Sequence, residues 1–239
     1  MSFVHALLNA DRPVIMEVKR RDPHGDDLFG DRTIAGIVAE YEAAGAPCLS
    51  VVTGRWFGGT DSMLSEVASL TDRPVLQKDF ITRRDQLLKA RDLGASAVLL
   101  TAGLLPRSSM PSLIEGSLEL GLTPFVEVTG EAEIDAAFGP VSGIGPSAEH
   151  CVVAVNNKDI KNRERGAGDL GRSARLLPTL AATGTRCPVS ASGITRPQDA
   201  DRLLAEGYRG LLIGTGLLRT TSLTGWLTEL DDLRNMRVP

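Results

Sequence analysis

The sequence has little that would staple, anchor or charge it. Three cysteines are an odd number, and Cys48, Cys151 and Cys187 lack the paired spacing of a metal site. Each opens an apolar run of the kind that becomes a buried strand, so all three read as reduced thiols of the core. No apolar run nears the ~18 uninterrupted residues a spanning helix needs. The opening MSFVHALLNADRP lacks a basic stretch followed by a small-residue cleavage site. The expectation is a soluble, cytoplasmic protein with no membrane partner. A basic excess is missing too: 26 Lys+Arg stand against 30 Asp+Glu, a net charge of −4, which removes the electrostatic footprint of general nucleic-acid binding. His5, His24 and His150 sit in the leader and in loops, too scattered for a metal triad. No linker, low-complexity segment or composition break divides the chain, and residues 1–239 read as one domain.

What is present is an apolar fraction of 42% in 239 residues, enough for one large core. Short apolar runs rich in β-branched residues alternate with longer amphipathic ones. The strand candidates are 13–18, 48–52, 74–79, 97–101, 124–128, 151–156, 187–192 and 210–214. Between them lie helix candidates such as 33–44, with Ile34, Ile37, Val38 and Tyr41 on one face, and 197–205, opened by proline. Strands that read as continuous apolar runs imply a parallel sheet covered on both faces. Eight such units predict an α/β fold, a single closed (β/α)8 TIM barrel with a short N-terminal leader; an open doubly wound sheet is the competing arrangement. Two polar stretches, 138–150 and 158–171, break the rhythm and predict long loops, the first at the amino-terminal face and the second at the catalytic mouth.

In such a barrel the side chains at the carboxyl ends of the strands face the substrate. Strand one ends Glu17-Val18-Lys19, whose alternation puts carboxylate and ammonium on one face. Strand three ends Gln77-Lys78-Asp79-Phe80, strand five carries Glu127 between valines, strand six ends Asn156-Asn157, and strand seven ends Ser190-Ala191-Ser192-Gly193. A carboxylate between valines on a central strand needs a partner or a task, and its natural partners are Lys19 and Lys78. Such a cluster holds an ammonium as general acid and a carboxylate as general base. A solvated Glu17–Lys19 pair at a strand end is the plainer alternative. Glycines at 192–194 and 214–216 free backbone N–H groups at the starts of helices after strands seven and eight, where phosphate commonly binds in these barrels. Trp56 either stacks on a substrate or caps the core, Trp226 reads as packing, and Lys161, Arg163 and Arg165 read as a solvated loop able to close over an anion.

The blocks PVIMEVKRRDP, YEAAGAPCLSVVT, RWFGG, PVLQKDFI, FVEV, VNNKDI, VSASGI and LLIGTGLLR, in this order, resemble the indole-3-glycerol phosphate synthase family from about residue 13 to 220. KDF and NNKDI are the most specific of them. The resemblance implies a cofactor-free carboxy-lyase of tryptophan biosynthesis that closes the indole ring of a carboxyphenylamino deoxyribulose phosphate with loss of carbon dioxide and water. Carried over by position, it implies Lys78 as general acid, Glu127 as general base, and Lys19 on the substrate carboxylate, supported by Glu17 and Asn156. It implies an aromatic pocket of Phe57, Phe80, Leu99 and Ile160, and a phosphate site of Ser192, Gly193, Gly214 and Thr215.

The chain departs from that pattern in places. Where the family reads Ser-Glu-Ser-Gly, strand seven has Ser190-Ala191-Ser192-Gly193, without the second carboxylate. The family's Ser-Pro-Ser after strand one appears as Asp22-Pro23-His24, and an aspartate there repels phosphate unless Arg20 or Arg21 compensates. The leader is also shorter than the family's, which covers the aromatic side of the substrate. A paralogue acting on a different phosphorylated or anthranilate-derived compound in secondary metabolism, and a non-catalytic ligand-binding barrel, are the alternatives these departures leave open. Oligomeric state is not legible.

Overall fold

The computed structural model describes residues 2–139, 145–158 and 168–237. A short helix α1 (Phe3–Leu8) precedes the first strand. Eight strands follow: β1 (Val14–Val18), β2 (Leu49–Val52), β3 (Val75–Lys78), β4 (Ala97–Thr101), β5 (Thr123–Val128), β6 (Val152–Asn156), β7 (Cys187–Ala191) and β8 (Gly210–Ile213). Their boundaries fall within one residue of the sequence expectation. Between them run α2 (Ile34–Ala43), α3 (Asp61–Leu70), α4 (Arg84–Asp92), α5 (Ser109–Glu119), α6 (Glu131–Phe138), α7 (Leu170–Ala182) and α8 (Pro197–Glu206). The chain finishes with α9 (Thr215–Leu218) and α10 (Leu223–Asn235). The sheet closes in sequence order with every neighbouring pair parallel, which decides for the (β/α)8 barrel against the open sheet.

Local signals place these elements. Thr33, Thr60 and Ser222 cap α2, α3 and α10 by accepting from the backbone N–H groups of Gly36, Met63 and Gly225. Pro197 opens α8, where a missing N–H costs nothing. Of the two expected long loops, the second ends earlier than expected because α7 begins at Leu170, and the first includes a 3-10 turn over 145–150. Residues 140–144 and 159–167 of these loops, with Lys161, Arg163 and Arg165 among them, lie outside the described residues.

Strand parity divides the interior in two. On β1, Val14, Met16 and Val18 join the layer packed under the helices, whereas Ile15 belongs to a separate cluster inside the barrel with Leu76, Leu99, Phe125, Val189 and Leu212. Helix α1 supplies Phe3 and Leu7 to that inner cluster. The Phe3 ring meets Phe125 edge-on at 6.2 Å, and the Phe3 carbonyl accepts from Cys48 Sγ at 3.6 Å. The described part of the leader is therefore a plug for the amino-terminal end of the barrel.

All three cysteines are buried and free. Burial pushes the Cys48 thiol well above its ordinary value, and those of Cys151 and Cys187 up to about 12. Trp226 is buried and donates to the Thr195 carbonyl at 2.9 Å, a packing role that also steadies the turn after β7.

Candidate active site

Inward parity carries on past the apolar cluster and changes chemistry. Two residues beyond Ile15 stands Glu17, then Lys19; two beyond Leu76 stands Lys78, two beyond Phe125 stands Glu127, and two beyond Ala154 stands Asn156. All five are buried. Lys78 Nζ lies 3.5 Å from Glu17 Oε2, reaching over the intervening strand β2. Each of these ions costs several kcal/mol to desolvate, roughly, so the pair is poor value for stability alone. Lys19 Nζ sits over the Phe57 ring, 4.0 Å from its centre.

Two cavities open at this end and share Lys78. One is lined by Lys78 and Glu127 together with Phe57, Phe80, Leu99, Thr101, Val52 and Trp56. The other is lined by Glu17, Lys19, Lys78, Lys158, Ser192, Gly193, Gly214 and Thr215. The arrangement is thus an apolar slot on one side, a glycine-lined recess with three lysines on the other, and Lys78 at their junction. Phe80 is 41% exposed and Trp56 67%, so Trp56 stands at the mouth and does not cap the core. Ile160, expected in the slot, lies outside the described residues.

The recess is built by backbone. Ser192 has φ +67°, a left-handed conformation that a non-glycine residue adopts at a cost of about 1 kcal/mol, and Gly193 follows at +78°. This turn precedes α8 by several residues, so the expected helix start at 192–194 is a left-handed turn, formed because Ser192 and Gly193 reverse the chain before Pro197 can nucleate the helix. Gly214 caps α9, and a Cβ there would collide with the Glu17 carboxylate. Glycine is required at 214 because the Glu17 side chain occupies the space a Cβ would take.

A buried polar layer outside the strands holds these ends in place. Asn157 Nδ2 donates to Ser190 Oγ and to the carbonyls of Ala191 and Ser192, and its Oδ1 accepts from Ser173. Arg172 donates to the carbonyls of Asn156 and Lys158, and Asn156 Oδ1 accepts from the Lys158 N–H at 2.9 Å. Gln77 donates to Thr53, which donates to Asp79, whose other oxygen accepts from the Phe80 N–H. These supports were absent from the sequence expectation. Polarity at strand ends flags Asn157, Gln77 and Thr101, whereas Ser173 and Arg172 carry no signal until α7 is docked.

Asp22 does not confront the recess. It is buried, accepts from the N–H groups of His24 and Asp26, and pairs with Arg219 at 2.9 Å. Burial alone would raise its carboxyl; the N–H groups of Asp26 and His24, the Arg219 charge and the Gly25 N–H together outweigh it and hold the carboxyl below its usual range. Compensation therefore comes from Arg219 after β8, and not from Arg20 or Arg21 as expected; Arg20 instead pairs with Asp27 at 3.2 Å and lies over Phe29. Arg32 adds a second tie from this loop to the Leu218 carbonyl. Among the described residues no group of histidine, cysteine or acidic side chains is arranged to hold a metal ion, and no helix is long and apolar enough to cross a membrane.

The family model described as indole-3-glycerol phosphate synthase matches residues 1–230. The chain belongs to the indole-3-glycerol phosphate synthase family. Indole-3-glycerol phosphate synthase 1 of Streptomyces coelicolor is 38% identical over 216 residues, 90% of this chain and 76% of that protein. The indole-3-glycerol phosphate synthase of Bacillus licheniformis is 35% identical over 92% of this chain and 84% of its own, and that of Pyrococcus furiosus 34% over 87% and 86%. Among solved structures, 3-hexulose-6-phosphate synthase from Salmonella typhimurium superposes with a TM-score of 0.68 over 93% of this chain and 98% of that one, at 12% identity, a likeness of fold alone. Membership of the family makes the protein an enzyme, a carboxy-lyase.

Proposed function

We propose that the mouth of this barrel forms indole-3-glycerol phosphate from a carboxyphenylamino deoxyribulose phosphate, with Lys78 and Glu127 as its acid and base. The observation that carries the reading is the single cavity bordered by an ammonium and a carboxylate from separate strands and walled by Phe57, Phe80 and Leu99. The aryl ring enters that slot and the phosphate enters the recess of Ser192, Gly193, Gly214 and Thr215, so that the sugar chain passes Lys78.

In ring closure the aryl carbon bearing the carboxylate bonds to the ketone carbon, and the ketone oxygen takes a proton from the Lys78 ammonium. The carboxylate then leaves as carbon dioxide, its bonding pair restoring the aromatic ring. The new hydroxyl then takes a proton from the Lys19 ammonium and departs as water while Glu127 removes one from the adjacent methylene. Lys19 holds the substrate carboxylate until it leaves. Glu17 aims the Lys78 ammonium from 3.5 Å, and Asn156, whose Oδ1 accepts from the Lys158 N–H, supports the end of β6. No step calls for a cofactor. The enzyme is assigned to the cytoplasm and to tryptophan biosynthesis.

One observation favours a second reading. Ala191, fully buried beside Asn156 and Leu212, stands where the resemblance puts a carboxylate. A paralogue that uses this space for a different anthranilate-derived phosphate fits that loss. The test is direct: the pure protein at saturating carboxyphenylamino deoxyribulose phosphate forms an indole chromophore, and Ala191→Glu leaves or improves that rate. No indole from the wild type, with retained binding of a phosphorylated ligand, favours the second reading.

A further inference from the structure

Strand β4 runs between β3, which carries Lys78, and β5, which carries Glu127. Its inward positions are Ala97, Leu99 and Thr101. The first two belong to the apolar cluster inside the barrel, and Thr101 is the register partner of Glu127. Thr101 is 4% exposed and lines the cavity that Lys78 and Glu127 border. Among the described residues its Oγ1 makes no hydrogen bond. A buried hydroxyl without a partner destabilises a fold, and valine has the same shape and at least the same preference for a strand. Folding therefore gives no reason for this oxygen, whereas its position between acid and base does.

We propose that Thr101 is a substrate-contacting residue of ring closure, its hydroxyl hydrogen-bonding the ketone oxygen that is protonated and then leaves as water. The proposal rests on the ring-closing reading above and adds a third group to it. Thr101 neither gains nor loses a proton. It holds the oxygen in line with Lys78 while negative charge builds there, and keeps the resulting hydroxyl next to the methylene that Glu127 deprotonates. The ligand chemistry it selects is a polar oxygen on the carbon that joins the ring; an analogue with a methylene there gains nothing from it.

The experiment compares wild type, T101V and T101S by steady-state kinetics with carboxyphenylamino deoxyribulose phosphate and by thermal unfolding. T101V is expected to melt at or above the wild-type temperature while kcat falls about tenfold, with KM within about threefold, and T101S to recover most of the rate. An active wild type whose T101V turns over within about twofold of it overturns the proposal alone. So does a T101V that melts lower, or a T101S as slow as T101V, because either assigns the residue to packing. A wild type that forms no indole overturns the ring-closing reading and this proposal with it.

Discussion

The two ends of the barrel are built from the same inward-facing positions of the same strands, yet they are opposites. At the amino-terminal end Ile15, Cys48, Leu76 and Phe125 pack on one another and are closed by Phe3 and Leu7 of α1. Two residues further along each strand, the inward side chains are Glu17, Ser50, Lys78 and Glu127. The lower layer gains from burial, at about 25 cal/mol per Å² of apolar surface, and asks for no partner. The upper layer buries charges and hydroxyls at a cost, which the lower layer and the outer shell of helices offset. The division teaches that one closed sheet supports chemistry at one rim because it is over-stabilised at the other.

The largest effect that sharpens this contrast is expected at the plug. Phe125→Ala removes the ring against which Phe3 packs, and should lower the free energy of unfolding by about 3–5 kcal/mol in urea titrations. The turnover of the fraction still folded should remain near wild type. Lys78→Ala is the inverse case: steady-state assays should show a loss of about 10²-fold or more in kcat, far out of proportion to any change in unfolding midpoint. A Phe125→Ala protein with normal stability, or a Lys78→Ala protein with normal turnover, would erase the distinction between the ends.

Smaller effects are expected at the clasp between the loop after β1 and the segment after β8. The Asp22 carboxyl is held below its ordinary value, so it favours the native state above about pH 4 and that contribution fades as pH falls through the lowered value. Asp22→Asn should therefore flatten the acid limb of the stability profile, and leave stability at pH 9 changed only by the lost ion pair and its hydrogen bonds. An acid limb identical in both proteins would remove Asp22 from the account. The mildest expectation concerns the thiols: with Cys48, Cys151 and Cys187 buried and their ionisation pushed up, the native protein should be inert to a thiol reagent at pH 8 and should titrate all three once unfolded.

The fold was legible because the strands carry their own record. The run VIMEV, apolar on both faces until Glu17, is readable only as a strand buried on both sides, and repeating that pattern eight times leaves few topologies. The charged part of the site was legible for a related reason: a carboxylate between Val126 and Val128 contradicts its surroundings, and contradictions mark function. The supports were harder to read. Arg219 is nearly two hundred residues from Asp22 in sequence, and nothing local at either position announces the pairing. Ser173, on the first turns of α7, looks like any helical serine until Asn157 is placed beneath it. The placement of the leader was not legible, because the run FVHALL packs on any apolar surface and only the closed inner cluster seats Phe3 and Leu7.

The most direct test follows carbon dioxide release and indole absorbance together, using the wild type, Lys78→Ala and Glu127→Gln on carboxyphenylamino deoxyribulose phosphate. With acid and base serving one molecule in successive steps, Lys78→Ala should slow both signals in parallel, whereas Glu127→Gln should release a burst of carbon dioxide that indole formation fails to match. Wild-type rates of both signals in either variant would contradict the account.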